Sequence, residues 1–149
     1  KLYQIFPDAA LGFDIIAGLP GETEDFFKKN LSFLELIDFA YLHVFSYSKR
    51  PGTRAAEMSG QINGEIIKKR CNTLMRLSES KKNKYRNKIL RNKIKLSGII
   101  EMNDKGYWTA LSNHYIRIYL ENKNNLERKY VETIPIENIF DGVKVENND

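Results

Sequence analysis

Two short segments of this 149-residue sequence combine glycine-containing turns with polar side chains that could bind a ligand. The first is DIIAGLPGE, at residues 14–22. Gly18 and Gly21 would let a ligand approach the backbone, and Glu22 could accept hydrogen bonds from an amine or a hydroxyl group. Taken alone, the segment is more typical of a tight turn between a strand and a helix.

The second segment is HVFSYSKRPGTRAAEM, at residues 43–58. It places Lys49 and Arg50 beside a Pro51-Gly52 turn, and two adjacent cations suit an anionic or nucleotide substrate. His43 precedes them within an apolar run, so we interpret it as a core or pore-facing histidine without a catalytic role.

A third feature is the uneven distribution of a net charge of +5. Residues 1–67 carry six Lys/Arg against nine Asp/Glu, and residues 96–149 repeat that count. Residues 68–95 carry twelve Lys/Arg against a single acid, Glu79. Such a stretch is an electrostatic footprint for a polyanion, although a solvated helix face is the plainer alternative.

The elements that position the two turns read as a β-α-β unit. The apolar run 13–19 predicts a strand buried on both faces, Thr23 begins a helix that reaches residue 37, and a second strand follows at 40–47. Strands joined through a helix are parallel, so both turns should lie at the same sheet edge, where active sites of α/β barrels are found.

This unit is incomplete, because two parallel strands cannot bury both of their faces or hide both edges. We therefore infer that the chain is a fragment that lacks neighbouring strands. We expect exposed apolar surface on the unit, or self-association through it.

The remainder of the chain predicts a long basic helix followed by a small β-barrel. The helix covers residues 61–90, with a bend near 78–80. Five short strands are expected, at 93–101, 107–111, 115–120, 130–134 and 139–145. The predicted fold class is thus α/β plus all-β.

Composition also restricts the function. Cys71 is the only cysteine, so the chain can form neither an internal disulfide nor a multi-cysteine metal site. No apolar run approaches the roughly 20 residues needed to cross a bilayer, and no signal peptide is recognisable at the start. A cytoplasmic protein is expected.

The motifs resemble those of a known enzyme family. GFDIIAGLPGETEDF resembles the fifth-strand segment of methylthiotransferase-type radical S-adenosylmethionine enzymes, and YLHVFSYSKRPGTRAAEM is similar to their sixth. The second wording is most similar to the tRNA methylthiotransferases that act on threonylcarbamoyladenosine, which usually have proline at the position of Ser46. GYWTALSNHYIRIYL is similar to their C-terminal barrel, the TRAM domain.

The resemblance implies three domains: the C-terminal portion of a radical S-adenosylmethionine barrel at 1–60, a basic linking helix at 61–90 and a TRAM domain, an OB-like barrel, at 91–149. The parent enzyme would use S-adenosylmethionine and two 4Fe-4S clusters to add a methylthio group to threonylcarbamoyladenosine beside the anticodon. Cys71 cannot replace a three-cysteine cluster motif. The chain would therefore be inactive without the missing N-terminal part.

The resemblance also implies site residues. Ile16, Gly18 and Glu22 would lie near the cofactor, and Phe45, Ser46 and Tyr47 near its adenine. The tRNA anticodon stem-loop would be bound by two groups of basic side chains and by the barrel: Lys49, Arg50 and Arg54 at the rim; Lys81, Lys82, Lys84, Arg86 and Lys88 on the helix; and Tyr107, Trp108, Tyr115 and Arg117 on the barrel. The barrel aromatics could instead form its core.

Three alternatives remain open at this stage. One is a non-catalytic RNA-binding module made of a basic helix and a barrel. A second is a methylthiotransferase for isopentenyl-adenosine or for a ribosomal protein. A third, a radical enzyme of the coproporphyrinogen dehydrogenase type, is disfavoured because a porphyrin substrate gives no reason for an RNA-binding tail.

Overall fold

A computed structural model describes residues 2–122 and 124–146 of the chain. In chain order the elements are α1 (Leu2–Ile5), β1 (Gly12–Ala17), α2 (Glu24–Leu36), β2 (Tyr41–Ser46), α3 (Arg54–Glu57), α4 (Gly64–Arg91), β3 (Leu96–Ile99), β4 (Met102–Asp104), β5 (Tyr107–Leu111), β6 (Arg117–Leu120), β7 (Tyr130–Thr133), β8 (Pro135–Ile139) and β9 (Gly142–Val145).

The described residues form two compact units. The first unit is Leu11–Lys82, and the second combines residues 2–10 with residues 83–146. Helix α4 contributes residues to both, up to Lys82 in the first unit and from Asn83 in the second. The division into domains 1–60, 61–90 and 91–149 stays a prediction from the sequence.

The first unit is a β-α-β unit, as predicted. Strands β1 and β2 pair in parallel, with Gly12 opposite Tyr41 and Ala17 opposite Ser46. Helix α2 begins after Thr23, whose Oγ1 accepts a hydrogen bond from the Phe26 N–H at 3.2 Å. Glu24 and Asp25 in its first turn complement the helix dipole.

The core of the first unit lies between the sheet and two helices. Phe27 and Leu34 of α2 pack with Leu42 of β2 and Leu74 of α4. The hydroxyl of Ser78, also on α4, accepts a hydrogen bond from the Leu42 N–H (2.9 Å) and donates one to its carbonyl (3.2 Å). Helix α4 therefore supplies both apolar and polar contacts to the sheet.

The other side of this sheet is exposed within the described chain. Ile16 and Phe45 lie opposite each other on this side and are 48% and 52% exposed. The prediction that the strand at 13–19 is buried on both faces is wrong for β1, because no described element covers these side chains. The expected exposed apolar surface is confirmed.

The second unit is a small β structure whose strand pairs form a closed circuit. One sheet has the order β4-β5-β6-β9-β8, and a second consists of β3 and β7. Two residues separate β3 from β4, and a single residue, Ile134, separates β7 from β8. Segment 96–104 contributes β3 to one sheet and β4 to the other, and segment 130–139 does the same with β7 and β8. The two sheets are therefore joined at both ends, which closes the circuit of strand pairs.

The predicted number of five strands is wrong, since the described chain has seven in this unit. The two extra strands arise where the segments above change partner. Strand β4 has only three residues, all of them exposed, so it shows no alternating burial pattern. Strand β8 begins with Pro135 at the edge of its sheet, a position where proline is tolerated.

Two further expectations can be checked. Strand β5 has the predicted bounds, Tyr107–Leu111. Helix α4 is one continuous helix as predicted, with bounds Gly64–Arg91 in place of 61–90, and the bend near 78–80 stays a prediction. Across residues 2–122 and 124–146, no helix is long and apolar enough to cross a membrane.

Candidate functional site

The turn that follows β1 is shaped by Gly18 and Glu22. Gly18 has a φ of +85°, and a Cβ atom there would lie 2.4 Å from the Ile67 side chain. Only glycine fits both the backbone conformation and the space. The Gly18 N–H donates to Oε2 of Glu22 at 2.8 Å, which closes the turn.

Glu22 is also the partner of a buried arginine. Nη1 of Arg70 lies 2.7 Å from Oε2 of Glu22 and 2.8 Å from its backbone carbonyl. The two side chains are only 6% and 13% exposed, and the guanidinium packs 5.1 Å from the centroid of the Phe27 ring. Glu22, predicted to accept hydrogen bonds from a ligand, therefore accepts them from Arg70. The sequence did not distinguish Arg70 from the other basic residues of its helix.

Two of the predicted cofactor residues are neighbours across the parallel pair. Ile16 lies directly opposite Phe45, and both side chains are about half exposed. Ser46 is exposed, and Tyr47 donates its N–H to the Ala17 carbonyl at 2.8 Å. The Tyr47 hydroxyl is buried without a hydrogen-bond partner among the described residues. Such a hydroxyl is free to donate a hydrogen bond to a water molecule or to a polar ligand atom.

The three rim cations are exposed beside the carboxyl end of β2. Lys49, Arg50 and Arg54 form no ion pair with any residue in the described ranges. The loop is ordered by Thr53, whose Oγ1 donates to the Arg50 carbonyl (2.8 Å) and accepts from the Ala56 N–H (3.3 Å). These cations are therefore held on a structured turn with their charges available.

The predicted RNA-binding residues of α4 within the first unit have internal partners. Nζ of Lys81 donates to the carbonyls of Glu35 (2.9 Å) and Ile37 (2.6 Å), at the end of α2. This side chain is buried and caps that helix, so it offers little to a phosphate group. Lys82 is exposed but lies 2.8 Å from Glu79.

The predicted RNA-binding residues of α4 within the second unit behave differently from one another. Lys84 is exposed. Arg86 is half-buried and donates to Oδ1 of Asn83 at 2.5 Å. Lys88 is bonded to the Pro7 carbonyl and lies 3.3 Å from the Asp8 carboxylate, so it holds the segment that precedes β1.

The aromatic residues of the second unit are distributed between its interior and its surface. Tyr107 is half-buried, with its ring 5.9 Å from that of Tyr119 and 6.1 Å from that of Phe140. Trp108 is half-buried on β5, opposite Leu120, whereas Tyr115 is exposed. Sequence reasoning missed Phe140, which is exposed and lies under the ammonium group of Lys105 at 4.6 Å.

Arg117 lies between two carboxylates. Its guanidinium is 3.5 Å from Glu101 and 3.7 Å from Asp141, and Asp141 also accepts a hydrogen bond from the Tyr119 hydroxyl. Burial, and then this hydrogen bond, raises the pKa of Tyr119 to about 12. Burial opposes ionisation of Asp141, but the Tyr119 hydroxyl and the Arg117 charge outweigh it and lower its pKa. A phosphate would have to compete with both carboxylates for Arg117.

The lone thiol is not disposed to bind a metal. Burial, with a smaller contribution from the Glu22 carboxylate, raises the pKa of Cys71, which keeps the thiol protonated at neutral pH. In the part of the chain that the structure describes, no three His, Cys, Asp or Glu side chains are grouped as metal ligands.

No protein-family model matches this chain. A tRNA-2-methylthio-N(6)-dimethylallyladenosine synthase of Thermobifida fusca is 46% identical over 79 residues, 53% of this chain and 16% of that protein. A threonylcarbamoyladenosine tRNA methylthiotransferase of Bacillus subtilis is 28% identical over 135 residues, 89% of this chain and 30% of that protein. A protein of the same name from Thermotoga maritima is 37% identical over 90 residues, 60% of this chain and 21% of that protein.

These relatives are tRNA methylthiotransferases named for two different modified adenosines. The chain spans between 16% and 30% of their length. The higher identity belongs to a shorter match, and the longest of the three matches has the lowest identity. The chain is therefore similar to part of methylthiotransferases of both kinds, and these similarities do not distinguish the two nucleosides.

Proposed function

We propose that this chain is part of a tRNA methylthiotransferase that adds a methylthio group to threonylcarbamoyladenosine next to the anticodon. The observation that carries the proposal is the similarity to curated tRNA methylthiotransferases, one of which matches 89% of the chain. In this proposal the first unit belongs to the catalytic barrel and the strands of the second unit are a TRAM domain. A cytoplasmic location follows from the substrate.

The first unit would supply one wall of an S-adenosylmethionine pocket. Ile16 and Phe45 form an exposed apolar pair suited to the adenine ring, and the buried Tyr47 hydroxyl lacks a partner that a cofactor atom could provide. Gly18 would allow close approach, Ser46 offers a hydroxyl, and Glu22 would hold the turn through Arg70. When bound at an iron–sulfur cluster, this cofactor supplies radical chemistry and a methyl group.

The iron–sulfur clusters themselves do not fit this chain, because Cys71 is its only cysteine and a cluster requires at least three closely spaced thiolates. We propose that the cluster ligands lie in an N-terminal part of the parent protein. The residues described here would then bind and orient the cofactor and the tRNA, and the chain alone would be inactive.

The rim and the second unit would contact tRNA. Lys49, Arg50 and Arg54 carry charges without internal partners, which suits the RNA backbone or the threonylcarbamoyl carboxylate. Tyr115 is exposed for base stacking, whereas Tyr107 and Trp108 are half-buried and would contribute less area. Recognition of an anticodon stem-loop is the simplest role for this combination.

A second candidate substrate is dimethylallyladenosine, the isopentenyl-adenosine alternative. It is favoured by the 46% identity to a synthase named for that nucleoside. Threonylcarbamoyladenosine is favoured by the longest of the three matches and by the YSKRPGT wording at residues 47–53. The adjacent Lys49 and Arg50 also suit the carboxylate that only this nucleoside carries.

Mass spectrometry of tRNA nucleosides from the source cells, with and without the full gene, tests the proposal. We expect the methylthio group to disappear from threonylcarbamoyladenosine and to return when the gene is restored. Loss from dimethylallyladenosine instead would keep the enzyme class and change the substrate. Unchanged nucleosides would favour a non-catalytic RNA-binding module or modification of a ribosomal protein.

A further inference from the structure

The basic side chains that α4 contributes to the first unit fall into two sets. Arg70, Lys81 and Lys82 have internal partners, respectively the Glu22 carboxylate, the carbonyls that end α2 and the Glu79 carboxylate. A ligand anion would have to displace these partners. Their positive charges therefore already interact with carboxylates or with backbone carbonyls of the first unit.

The second set consists of Lys68, Lys69 and Arg76, which we call the basic stripe. All three side chains are exposed, and none forms an ion pair with a residue that the structure describes. They line a shallow surface depression together with Glu65, Asn72 and Met75. The lining thus holds three cations and one carboxylate, a net charge of +2.

The helical spacing explains why these residues share one side of α4. Positions 65, 68, 69, 72, 75 and 76 recur at intervals of three and four, which places them in one row along the helix. The eight intervals between Lys68 and Arg76 cover about 12 Å along the axis at about 1.5 Å per residue. The stripe is therefore long enough to meet more than one phosphate of a nucleic-acid strand.

We propose that the basic stripe binds the phosphate backbone of tRNA, an inference that rests on the function proposed above. Unpaired lysine and arginine side chains release counterions when they contact phosphates, and no internal ion pair has to be broken here. Asn72 adds a neutral hydrogen-bond donor between the two ends of the stripe.

The chemistry of the stripe favours an RNA backbone over other polyanionic surfaces. Aromatic residues are absent from its lining, so it has no platform for base stacking and no means to read sequence. Met75 is its single large apolar side chain, and a helix that inserts into a membrane surface needs a broad apolar face. The stripe therefore positions the RNA and leaves recognition to other residues.

A pair of triple variants of the 149-residue chain tests this inference. One is Lys68→Ala with Lys69→Ala and Arg76→Ala. The charge-matched control is Lys28→Ala with Lys29→Ala and Lys144→Ala, which removes three cations that all have carboxylate partners. Circular dichroism is used to check that both variants remain folded. Dissociation constants for unfractionated tRNA are then measured over a series of salt concentrations.

The stripe variant should lower the slope of log Kd against log salt by roughly 2, since each phosphate contact contributes about 0.7–0.9. The control should change the slope by less than half as much. Equal changes in both variants would show that only total charge matters and would overturn the inference.

Other outcomes separate the stripe from the proposed function. Wild-type binding that the stripe variant retains in full would overturn the stripe and leave the proposed function intact. A wild-type chain that binds no tRNA would overturn the stripe, whereas the proposed function is decided by the nucleoside analysis of the full gene. Salt-dependent binding to phosphatidylserine vesicles that exceeds binding to tRNA would assign the stripe to a membrane surface and also overturn it.

Discussion

Glu22 illustrates how a residue that looks like a ligand acceptor can be a structural anchor. The sequence identified its position in the turn after β1, but the partner Arg70 lies 48 residues away on α4. No local pattern distinguishes Arg70 from the other basic residues around it. Pairing across such a separation is a property of the packed unit, so sequence reasoning had no means to find it.

Removal of Arg70 should destabilise the first unit. In Arg70→Met the Glu22 carboxylate would remain largely buried without its cation, which costs about 3–5 kcal/mol in free energy of unfolding. Lys69→Met is the matched control, because the neighbouring Lys69 is exposed and has no ion-pair partner among described residues. Urea unfolding followed by circular dichroism measures both. Similar stabilities for the two variants would contradict a structural role for the pair.

The Tyr119–Asp141 contact predicts an unusual tyrosine titration. Asp141→Asn should lower the pKa of Tyr119 from about 12, although burial should keep it above the ordinary value of 10.0. Tyrosinate absorbance measured against pH reports the change, and Tyr119→Phe identifies which transition belongs to this residue. Superimposable titrations of Asp141→Asn and wild type would show that the contact is absent in solution.

The same contact sets the direction of the pH dependence of stability. The folded-state pKa of Tyr119 is raised, so its contribution is complete below pH 10 and is lost as the pH rises from 10.0 towards 12. The folded-state pKa of Asp141 is lowered, so its contribution is present above its ordinary value of 3.8 and is lost as the pH falls through the folded value. The contact therefore stabilises the second unit across the neutral range.

The rim cations carry a prediction for the parent enzyme. Lys49→Ala with Arg50→Ala should weaken tRNA binding about tenfold or more, because each charge-assisted contact contributes on the order of 1 kcal/mol. Lys28→Ala with Lys29→Ala is the control, since both lysines form exposed pairs within α2. Unaltered tRNA affinity and turnover in the rim variant would exclude these two residues from substrate binding.

At the scale of elements, the sequence was most informative where local signals and packing agree. The Thr23 cap and the acidic first turn correctly located the start of α2, whereas the preceding strand ends at Ala17, before the predicted residue 19. The end of α2 was equally well placed, but the reason was not visible, because Lys81 from α4 caps its carbonyls. The basic character of α4 was thus read as a single surface, whereas part of it is internal.

Elements without periodic patterns escaped prediction. Helices α1 and α3 have four residues each, which is too short for a helical repeat to appear. Strands β4 and β8 are mostly exposed and continue from strands that change sheets, so their existence depends on pairing rather than on composition. The sequence predicted a small β-barrel, but it did not predict the two points at which a segment passes from one sheet to the other.

Helix α4 should contribute strongly to the stability of the first unit. Leu74 is 2% exposed in its core, and Leu74→Ala should cost about 2–5 kcal/mol in free energy of unfolding. Met75→Ala is the matched control, because Met75 is the next residue and is about half exposed. Its cost should stay within about 0.5 kcal/mol, as for other surface substitutions. Denaturant unfolding of both variants gives the comparison.

At the scale of the whole molecule, the apolar side chains exposed on the β1–β2 sheet are the main surface that the described chain leaves uncovered. Ile16 and Phe45 lie on the uncovered side of a two-stranded parallel sheet, an arrangement that proteins normally cover on both faces. In the proposed function a cofactor and further strands would cover them. In the isolated chain, contact with a second copy is the available way to remove this surface from water.

The isolated chain should therefore self-associate as its concentration rises, and light scattering with a dilution series measures this. Ile16→Thr with Phe45→Thr should shift the association to higher concentration, since it removes the central apolar pair of the exposed sheet. Ile99→Thr with Tyr130→Thr is the matched control, because these residues are also an exposed cross-strand pair, but on the second unit. A compact monomer at all concentrations would show that this surface is tolerated. If self-association proceeds through the β1–β2 sheet, only Ile16→Thr with Phe45→Thr should weaken it. Equal effects of the two double variants would show that the chain self-associates through another surface.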